Sequence, residues 1–282
     1  MAVKYGNQYV DERYSSIIEP NLYADGVLIP GITYTDKYEE GPAGQIVVHK
    51  LSSNAVVAGT PGTDFSDEGA QDTLININLN NCFQKSRKIY GVQANAVAFN
   101  IGEEYLADSI KAVADGRQDS ALACLAYEGT DSSATGTTDS EILLGMRKEV
   151  RDAHAKPTFA LCNTTTYASL LKEIGLQTYA DEAVRSGELF RRFGMTIIEC
   201  DGFDNSTAKY YDNAGTQRTV DLTNVDMIVG SADAFSVIDN VNMARIIDSE
   251  LFNGSKAQVE VNTGFTITNP NAIVVKAHSG SV

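Results

Sequence analysis

The chain has 282 residues, a formal net charge of −15 and an apolar fraction of 43%. This length allows a sizeable core, as one large domain or two smaller ones, and the absence of any run of about 18 apolar residues argues against a transmembrane helix. The acidic balance disfavours a nucleic-acid binder that needs many lysine–phosphate contacts, and it suits a soluble subunit or a surface that must not adhere to a polyanion.

Residues 1–40 have no sustained apolar period and lack the apolar core of a signal peptide. A short helix fits residues 10–18, and the remainder mixes charges, Gly and Pro with six tyrosines (Tyr5, Tyr9, Tyr14, Tyr23, Tyr34 and Tyr38). Such a segment buries little of itself, and its aromatic side chains favour packing on another surface. We predict an extended N-terminal arm, with a mobile tail as the alternative.

A large hairpin is predicted next. Residues 45–51 form an apolar run, and residues 71–80 alternate isoleucine and leucine with Asn76, Asn78 and Asn80, which is the period of a half-buried strand. The connection between them is long, small and polar, and long connections of this kind are usually functional or disordered. Because a projecting hairpin exposes strand edges, it favours pairing with another chain.

A long helix is predicted after a basic, polar passage that contains Lys85, Arg87 and Lys88. The apolar residues then change to helical spacing and form one stripe (Val97, Ile101, Tyr105, Leu106, Ile110, Val113, Leu122 and Leu125). The helical stretch reaches up to about 30 residues, or roughly 45 Å. Gly102 and Gly116 are its weak points, at about 1 kcal/mol each relative to Ala.

Strands and helices alternate from Thr138 to Asp239, which indicates a compact α/β unit around a small sheet. Residues 138–141 form a capping box for a helix that ends near Asp152. Further elements are strands at 158–162, 193–200 and 225–229, a helix at 167–174 capped by Asn163, and a short helical turn after Ser231.

The last part of the chain returns to strand patterns, at residues 244–251, 258–268 and 272–277. We expect this antiparallel set to pair near the strand at 71–80 and the long helix, outside the α/β unit. The chain would then leave its first domain at about Glu128 and re-enter it at about Asn240.

No catalytic or cofactor motif stands out, so no catalytic, cofactor-binding or metal site is predicted. His49, His154 and His278 lack metal-ligand spacing, and we interpret His154 as a helix C-terminal residue. The nucleophile elbow, the phosphate-binding loop and the dinucleotide fingerprint are all absent from the sequence. Four scattered cysteines (Cys82, Cys124, Cys162 and Cys200) fit reduced thiols of a protein made in a cytosol.

Two groups of acidic residues remain to be weighed as hypothetical cation sites. Asp64, Asp67, Glu68 and Asp72 lack the alternating ligands and central Gly of a calcium loop, so a solvated loop is the better interpretation. Asp201, Asp204 and Asp212 surround Gly202 and Asn205, where a weak cation site is an alternative to plain solvation.

The order of these elements, with five stretches of sequence, resembles the major capsid proteins of tailed bacteriophages. The stretches are YEEGPAGQI at 38–46, DTLI at 72–75, FQKSRKIY at 83–90, QDSALACL at 118–125 and GSADAF at 230–235. They are similarities of local sequence and not catalytic motifs. The resemblance covers nearly the whole chain.

The resemblance implies an α+β capsid fold in five parts. These are an N-terminal arm (1–40), an extended hairpin loop that overlaps a neighbour (41–80), a peripheral domain with a spine helix (81–137), an axial domain (138–240) and return strands of the peripheral domain (241–282). It also implies a non-enzymatic subunit that assembles in the host cytoplasm into hexamers and pentamers of an icosahedral virion shell, which encloses double-stranded DNA without sequence-specific binding. No membrane is involved.

Two departures from the family matter. The hairpin is reached by about Gly44, which leaves no room for a fused scaffolding domain and implies a separate scaffolding protein or a processed form, with a portal and decoration proteins as further partners. Lys50 is the only lysine in the first hairpin strand, and its surroundings do not resemble a covalent cross-linking site. The alternatives are an encapsulin-like compartment shell and a cytosolic α+β enzyme with an unrecognised acidic site.

Overall fold

A computed structural model describes residues 45–51, 72–91, 101–175, 193–249 and 251–277. Within these ranges the chain forms an α+β fold. The strands are β1 (Gln45–Leu51), β2 (Asp72–Asn78), β3 (Asn81–Tyr90), β4 (Thr130–Asp131), β5 (Phe159–Cys162), β6 (Thr196–Glu199), β7 (Ala208–Tyr211), β8 (Gln217–Val220), β9 (Val225–Gly230), β10 (Phe235–Asp248), β11 (Gly254–Ile267) and β12 (Ile273–Ala277). The α-helices are α1 (Ile101–Glu128), α2 (Asp139–Asp152) and α3 (Thr164–Gly175), and short 3-10 turns lie at Asp201–Asp204, Leu222–Asn224, Ala232–Ala234 and Pro270–Ala272.

The predicted hairpin is confirmed. Strands β1 and β2 pair antiparallel from Gln45 opposite Asn78 to Leu51 opposite Asp72. Alternation along β2 also holds, because Ile77 is fully buried while Asn76 is exposed. The predicted N-terminal arm and the connection at 52–71 lie outside the described residues.

A three-stranded antiparallel sheet has the order β10–β11–β3. Strand β3 occupies the passage that we described only as basic and polar, so the sequence analysis missed this strand. Its inward side carries Phe83, Lys85, Arg87 and Ile89, and two of these four residues are cations. The aliphatic stems of Lys and Arg cover apolar surface while their charged ends stay polar, which conceals the strand period in the sequence.

The α/β unit contains a five-stranded sheet with the order β4–β12–β9–β5–β6. Successive residues of β5 enter different cores: Phe159 and Leu161 pack with the end of α1, whereas Ala160 and Cys162 pack with α2 and α3. The sheet is therefore covered on both faces, and its central strands are continuous apolar runs, as is usual for such sheets.

One predicted placement was wrong. We expected the last strand outside the α/β unit, but β12 lies within its sheet, antiparallel to β9 and parallel to β4. The physical reason is burial on both faces, because Ile273 and Val275 join the core on one side and Val274 joins the core on the other. The preceding strands do pair as expected, with β11 beside β3.

The long helix α1 is confirmed, with two different halves. Its first half lies on the three-stranded sheet, where Tyr105 and Leu106 pack beside Ile89 and Ala257. Near its end the helix is buried on all sides over one stretch, since all five residues from Ala121 to Leu125 have no exposed surface. Ile110 departs from the predicted stripe and is 46% exposed.

The helix boundaries of the α/β unit agree with the sequence signals. Thr138 precedes α2 and its hydroxyl accepts a hydrogen bond from the Glu141 N–H at 3.3 Å. Asn163 Oδ1 accepts from the Thr166 N–H at 2.7 Å at the start of α3. None of the described helices is long and apolar enough to cross a membrane.

Candidate assembly interface

The β1–β2 hairpin is an open element of the described structure. It forms a sheet of two strands only, so each strand has an outer edge with no described strand beside it. On one face, Val47 is 48% exposed and Leu74 is 57% exposed. An isolated two-stranded hairpin is marginal in water, and open edges with exposed apolar side chains favour pairing or packing with another chain.

Asparagines fix the base of the hairpin to the body of the subunit. Asn78 donates from Nδ2 to the Asn213 carbonyl at 2.6 Å, and Asn80 donates to the Asp212 carbonyl at 3.1 Å. Asn81 accepts from the Tyr211 N–H at 2.7 Å and donates back to the Tyr211 carbonyl at 3.1 Å. These asparagine side chains hydrogen-bond to main-chain groups of the β7–β8 hairpin, as the main chain of a neighbouring strand would.

A close approach between the main chains of β2 and β11 completes this contact between the hairpin and the body, which we call the joint. Ile77 has no exposed surface, and it packs against Gly264 on β11. A Cβ atom at position 264 would lie 3.0 Å from the Asn78 carbonyl oxygen and 3.1 Å from the Ile77 side chain. Any larger residue at this position would therefore push the base of the hairpin away from the sheet.

The β7–β8 turn that receives the asparagines is itself held by Asp212. This carboxylate accepts from the Thr216 N–H at 2.8 Å and from Arg218 Nε at 2.9 Å. The Thr216 hydrogen bond is the main reason that the pKa of Asp212 lies below its usual value, and Arg218 adds to the effect. The Arg218 guanidinium also lies 5.3 Å from the centre of the Tyr127 ring.

The structure does not gather Asp201, Asp204 and Asp212 into a group that could hold a cation. Asp212 is bonded to the turn and to Arg218, whereas Asp201 and Asp204 lie in a separate 3-10 turn. Across the described ranges, no group of three or more Asp, Glu, His or Cys side chains is arranged to hold a metal ion. Of the other acidic group, Asp64, Asp67 and Glu68 lie outside those ranges, as does the Asp72 side chain.

The remaining sequence candidates are placed as follows. His154 has a left-handed backbone (φ 60°) directly after α2, and its N–H donates to the Arg151 carbonyl at 2.9 Å, which agrees with a helix C-terminal residue. Lys50 is exposed and donates to the Thr268 carbonyl at 2.8 Å. The four cysteines are free thiols, and only Cys82 is exposed. The His49 side chain and His278 lie outside the described residues.

One partly buried carboxylate lies where the elements of this joint meet. Glu128 ends α1, and its Oε1 accepts from the Tyr210 hydroxyl at 3.2 Å. Burial raises the pKa of Glu128, and the nearby Asp212 raises it further, while hydrogen bonds from Tyr210, Cys124 and the Ile267 main chain oppose the shift. Sequence reasoning missed this site because its members are distant in sequence.

Comparisons with solved structures identify the fold. A chain from Mycobacterium phage Che8 matches at a TM-score of 0.72 with 15% identity, and the match covers 98% of this chain and 99% of that one. The capsid structure of the cyanophage P-SCSP1u gives a TM-score of 0.72 at 12% identity, over 96% of this chain and 93% of that one. The capsid of an empty GTA particle gives 0.66 at 13% identity, over 99% of both chains.

No protein-family model and no curated protein matches the sequence. The identities to the solved structures are low, so these matches establish the fold. The chain therefore has the α+β fold of the phage capsid structures, as the sequence resemblance predicted.

Proposed function

We propose that this chain is a structural subunit of a phage capsid, with no enzymatic activity. The observation that carries the proposal is the match of nearly its whole length to capsid structures at TM-scores up to 0.72. The hairpin supports it independently, because it presents open strand edges and two exposed apolar side chains from a firmly bonded base. Such an element is suited to main-chain pairing with a neighbour.

Within this proposal, the subunit assembles into hexamers and pentamers that close into an icosahedral shell around double-stranded DNA. Assembly takes place in the cytoplasm of the bacterial host, and a separate scaffolding protein, a portal and decoration proteins are its partners. The five-part division stays a proposal with one change. Strand β12 is assigned to the α/β axial unit, because it pairs with β9 there.

Electron microscopy of the purified protein in negative stain, with light scattering on the same sample, tests this function. We expect rings, tubes or closed shells. Nucleic acid inside shells from the natural source would support the phage role, whereas cargo proteins would support an encapsulin-like compartment. A monomer that does not assemble, even with a crowding agent or a candidate scaffold, would contradict the proposal.

Deletion of residues 52–69 tests the part played by the hairpin. The hydrogen bonds at its base involve Asn78, Asn80 and Asn81, which the deletion leaves in place. We therefore expect a folded subunit, with an unchanged far-ultraviolet circular dichroism spectrum, that forms no shells. Normal shells from this variant would contradict the role of the hairpin.

A further inference from the structure

The end of the three-stranded sheet carries an exposed apolar group bordered by two cations. We call this the sheet tip: Tyr90, Leu251, Phe252, Lys88 and Lys256. Leu251 is 88% exposed and Tyr90 is 48% exposed. The Tyr90 and Phe252 rings lie 5.2 Å apart. Glu250, in the same turn, lies outside the described residues.

The two lysines of the sheet tip repel each other. Lys88 and Lys256 are direct cross-strand partners in the pairing of β3 with β11. Their Nζ atoms lie 5.7 and 5.8 Å from the centre of the Phe252 ring, so one aromatic ring attracts both cations. Like charges directly opposite each other destabilise a sheet, and an acidic partner would relieve this cost.

The sheet tip is held firmly in place. The Gly91 N–H donates to the Asn253 carbonyl at 3.0 Å, which joins the end of β3 to the β10–β11 turn. Gly254 has φ 154°, and a Cβ atom there would lie 2.0 Å from the Ile89 carbonyl oxygen. Only glycine allows this approach. The apolar group is therefore presented by a fixed turn, at little entropic cost to binding.

A complementary surface lies on the first half of α1. Glu103, Ala107, Ile110 and Ala114 are all exposed, and their spacing places them on one side of the helix. We call them, with exposed Glu104, the helix stripe. It combines a centre of small apolar side chains and Ile110 with two carboxylates at its start, and exposed Lys111 lies within it, one turn after Ala107.

The two surfaces do not cover each other within one subunit, since both are exposed. Tyr105 and Leu106 pack beside Ile89 and Ala257 on the sheet, and the helix stripe lies on the adjoining, solvent-facing side of α1. Yet α1 begins near the end of β3, and both surfaces therefore flank the same end of the molecule. A second copy is the occupant that offers a matching surface of acidic and apolar residues.

We propose that the sheet tip of one subunit packs on the helix stripe of a second copy, with Lys88 and Lys256 against Glu103 and Glu104. This inference rests on the proposed capsid function and names one contact within the shell. The contact is heterologous, because two different surfaces meet. Contacts of this kind repeat around an axis and close into rings when the rotation allows it.

Charge reversal tests this contact. We expect K88E/K256E and E103K/E104K each to raise the protein concentration needed for assembly by about tenfold or more, because like charges would then face each other across the contact. The quadruple variant exchanges the charges and should restore assembly. Each double variant keeps two like charges side by side, as in the unmodified protein, and circular dichroism and thermal unfolding would check its fold.

K148E/K172E is a control of equal charge change on α2 and α3, where both lysines are exposed. We expect it to assemble normally. An equal loss in this control would indicate a general charge effect and would overturn the inference, as would a quadruple variant that stays unassembled. If the unmodified protein assembles and neither double variant is impaired, only this contact is refuted. If the unmodified protein never assembles, the capsid function fails as well.

A second measurement is independent of charge. In a C82S background, which removes the exposed native thiol, Ile110→Cys and Leu251→Cys would be combined and the assembled protein oxidised with copper phenanthroline. We expect a ladder of disulfide-linked oligomers on a denaturing gel. Each single variant should give at most a minor dimer, and the absence of a ladder from assembled double variant would refute the contact.

Discussion

The five-stranded sheet and the β1–β2 hairpin are stabilised in different ways. The sheet is covered on both faces by two apolar cores, and its interior strand β5 has no exposed residue. The hairpin has one fully buried side chain among its described residues, Ile77, and is joined to the body by asparagine hydrogen bonds. The sheet can therefore be stable in a single subunit, whereas the hairpin has surface left for a neighbour.

The largest effect is expected in the sheet. Leu161→Ala removes a fully buried side chain from the core shared by β5 and the end of α1. Such a cavity should lower the free energy of unfolding by about 2–5 kcal/mol, measured by chemical denaturation. Leu144→Ala is the matched control, because Leu144 is 42% exposed and its truncation should change stability by about 0.5 kcal/mol or less. Similar losses in the two variants would contradict this account of the sheet.

A smaller and more local effect is expected at the base of the hairpin. Asn81 is 3% exposed, and Asn81→Ala leaves the Tyr211 N–H and carbonyl without their present partner. The expected cost is about 1–3 kcal/mol, because buried polar groups would lose hydrogen bonds. Hydrogen exchange at the Tyr211 amide should accelerate in this variant.

Asn76→Ala is the control for that experiment. Asn76 belongs to the same asparagine-rich stretch but is exposed, so its truncation should change stability by about 0.5 kcal/mol or less. Equal stability and equal Tyr211 exchange in the two variants would refute the role of Asn81 as an anchor.

The sequence predicted the elements whose signals are local. The hairpin strands, the capping box at Thr138 and the cap at Asn163 depend on neighbouring residues, and all are present. The long helix was also predicted, because its period is sustained over many residues. Strand β3 was missed because Lys85 and Arg87 occupy its inward side, where Arg87 pairs with Asp108 at 2.8 Å and lies over the Tyr105 ring.

Features that depend on distant partners could not be predicted. Asn78 and Asn80 are polar residues of an alternating strand in sequence and Asn81 follows that strand, and only folding brings the β7–β8 turn to them. The place of β12 similarly required knowledge of which strand lies beside it, since its apolar run fits either sheet. The hairpin β7–β8 was missed because we grouped Asp212, which lies in its turn, with Asp201 and Asp204 as a candidate cation site.

The smallest effect is expected at Glu128, where the body and the hairpin anchor meet, and it depends on pH. Burial raises the pKa of this carboxyl in the folded state, so the folded protein binds the proton more tightly than the unfolded chain does. Its contribution to stability is therefore greatest at low pH and is lost as the pH rises through the folded pKa.

Glu128→Gln keeps an acceptor for the Tyr210 hydroxyl and removes the charge. We therefore expect this variant to be equally or more stable than the unmodified protein at pH 7.5, with a difference in stability that shrinks towards pH 4.5. Chemical denaturation of both proteins across this range measures the difference. Because the pKa of Asp119 is also raised, by its burial, the comparison of the two proteins isolates Glu128 from the pH dependence that they share. A stability difference that does not change with pH would show that Glu128 is not a protonating group of the joint.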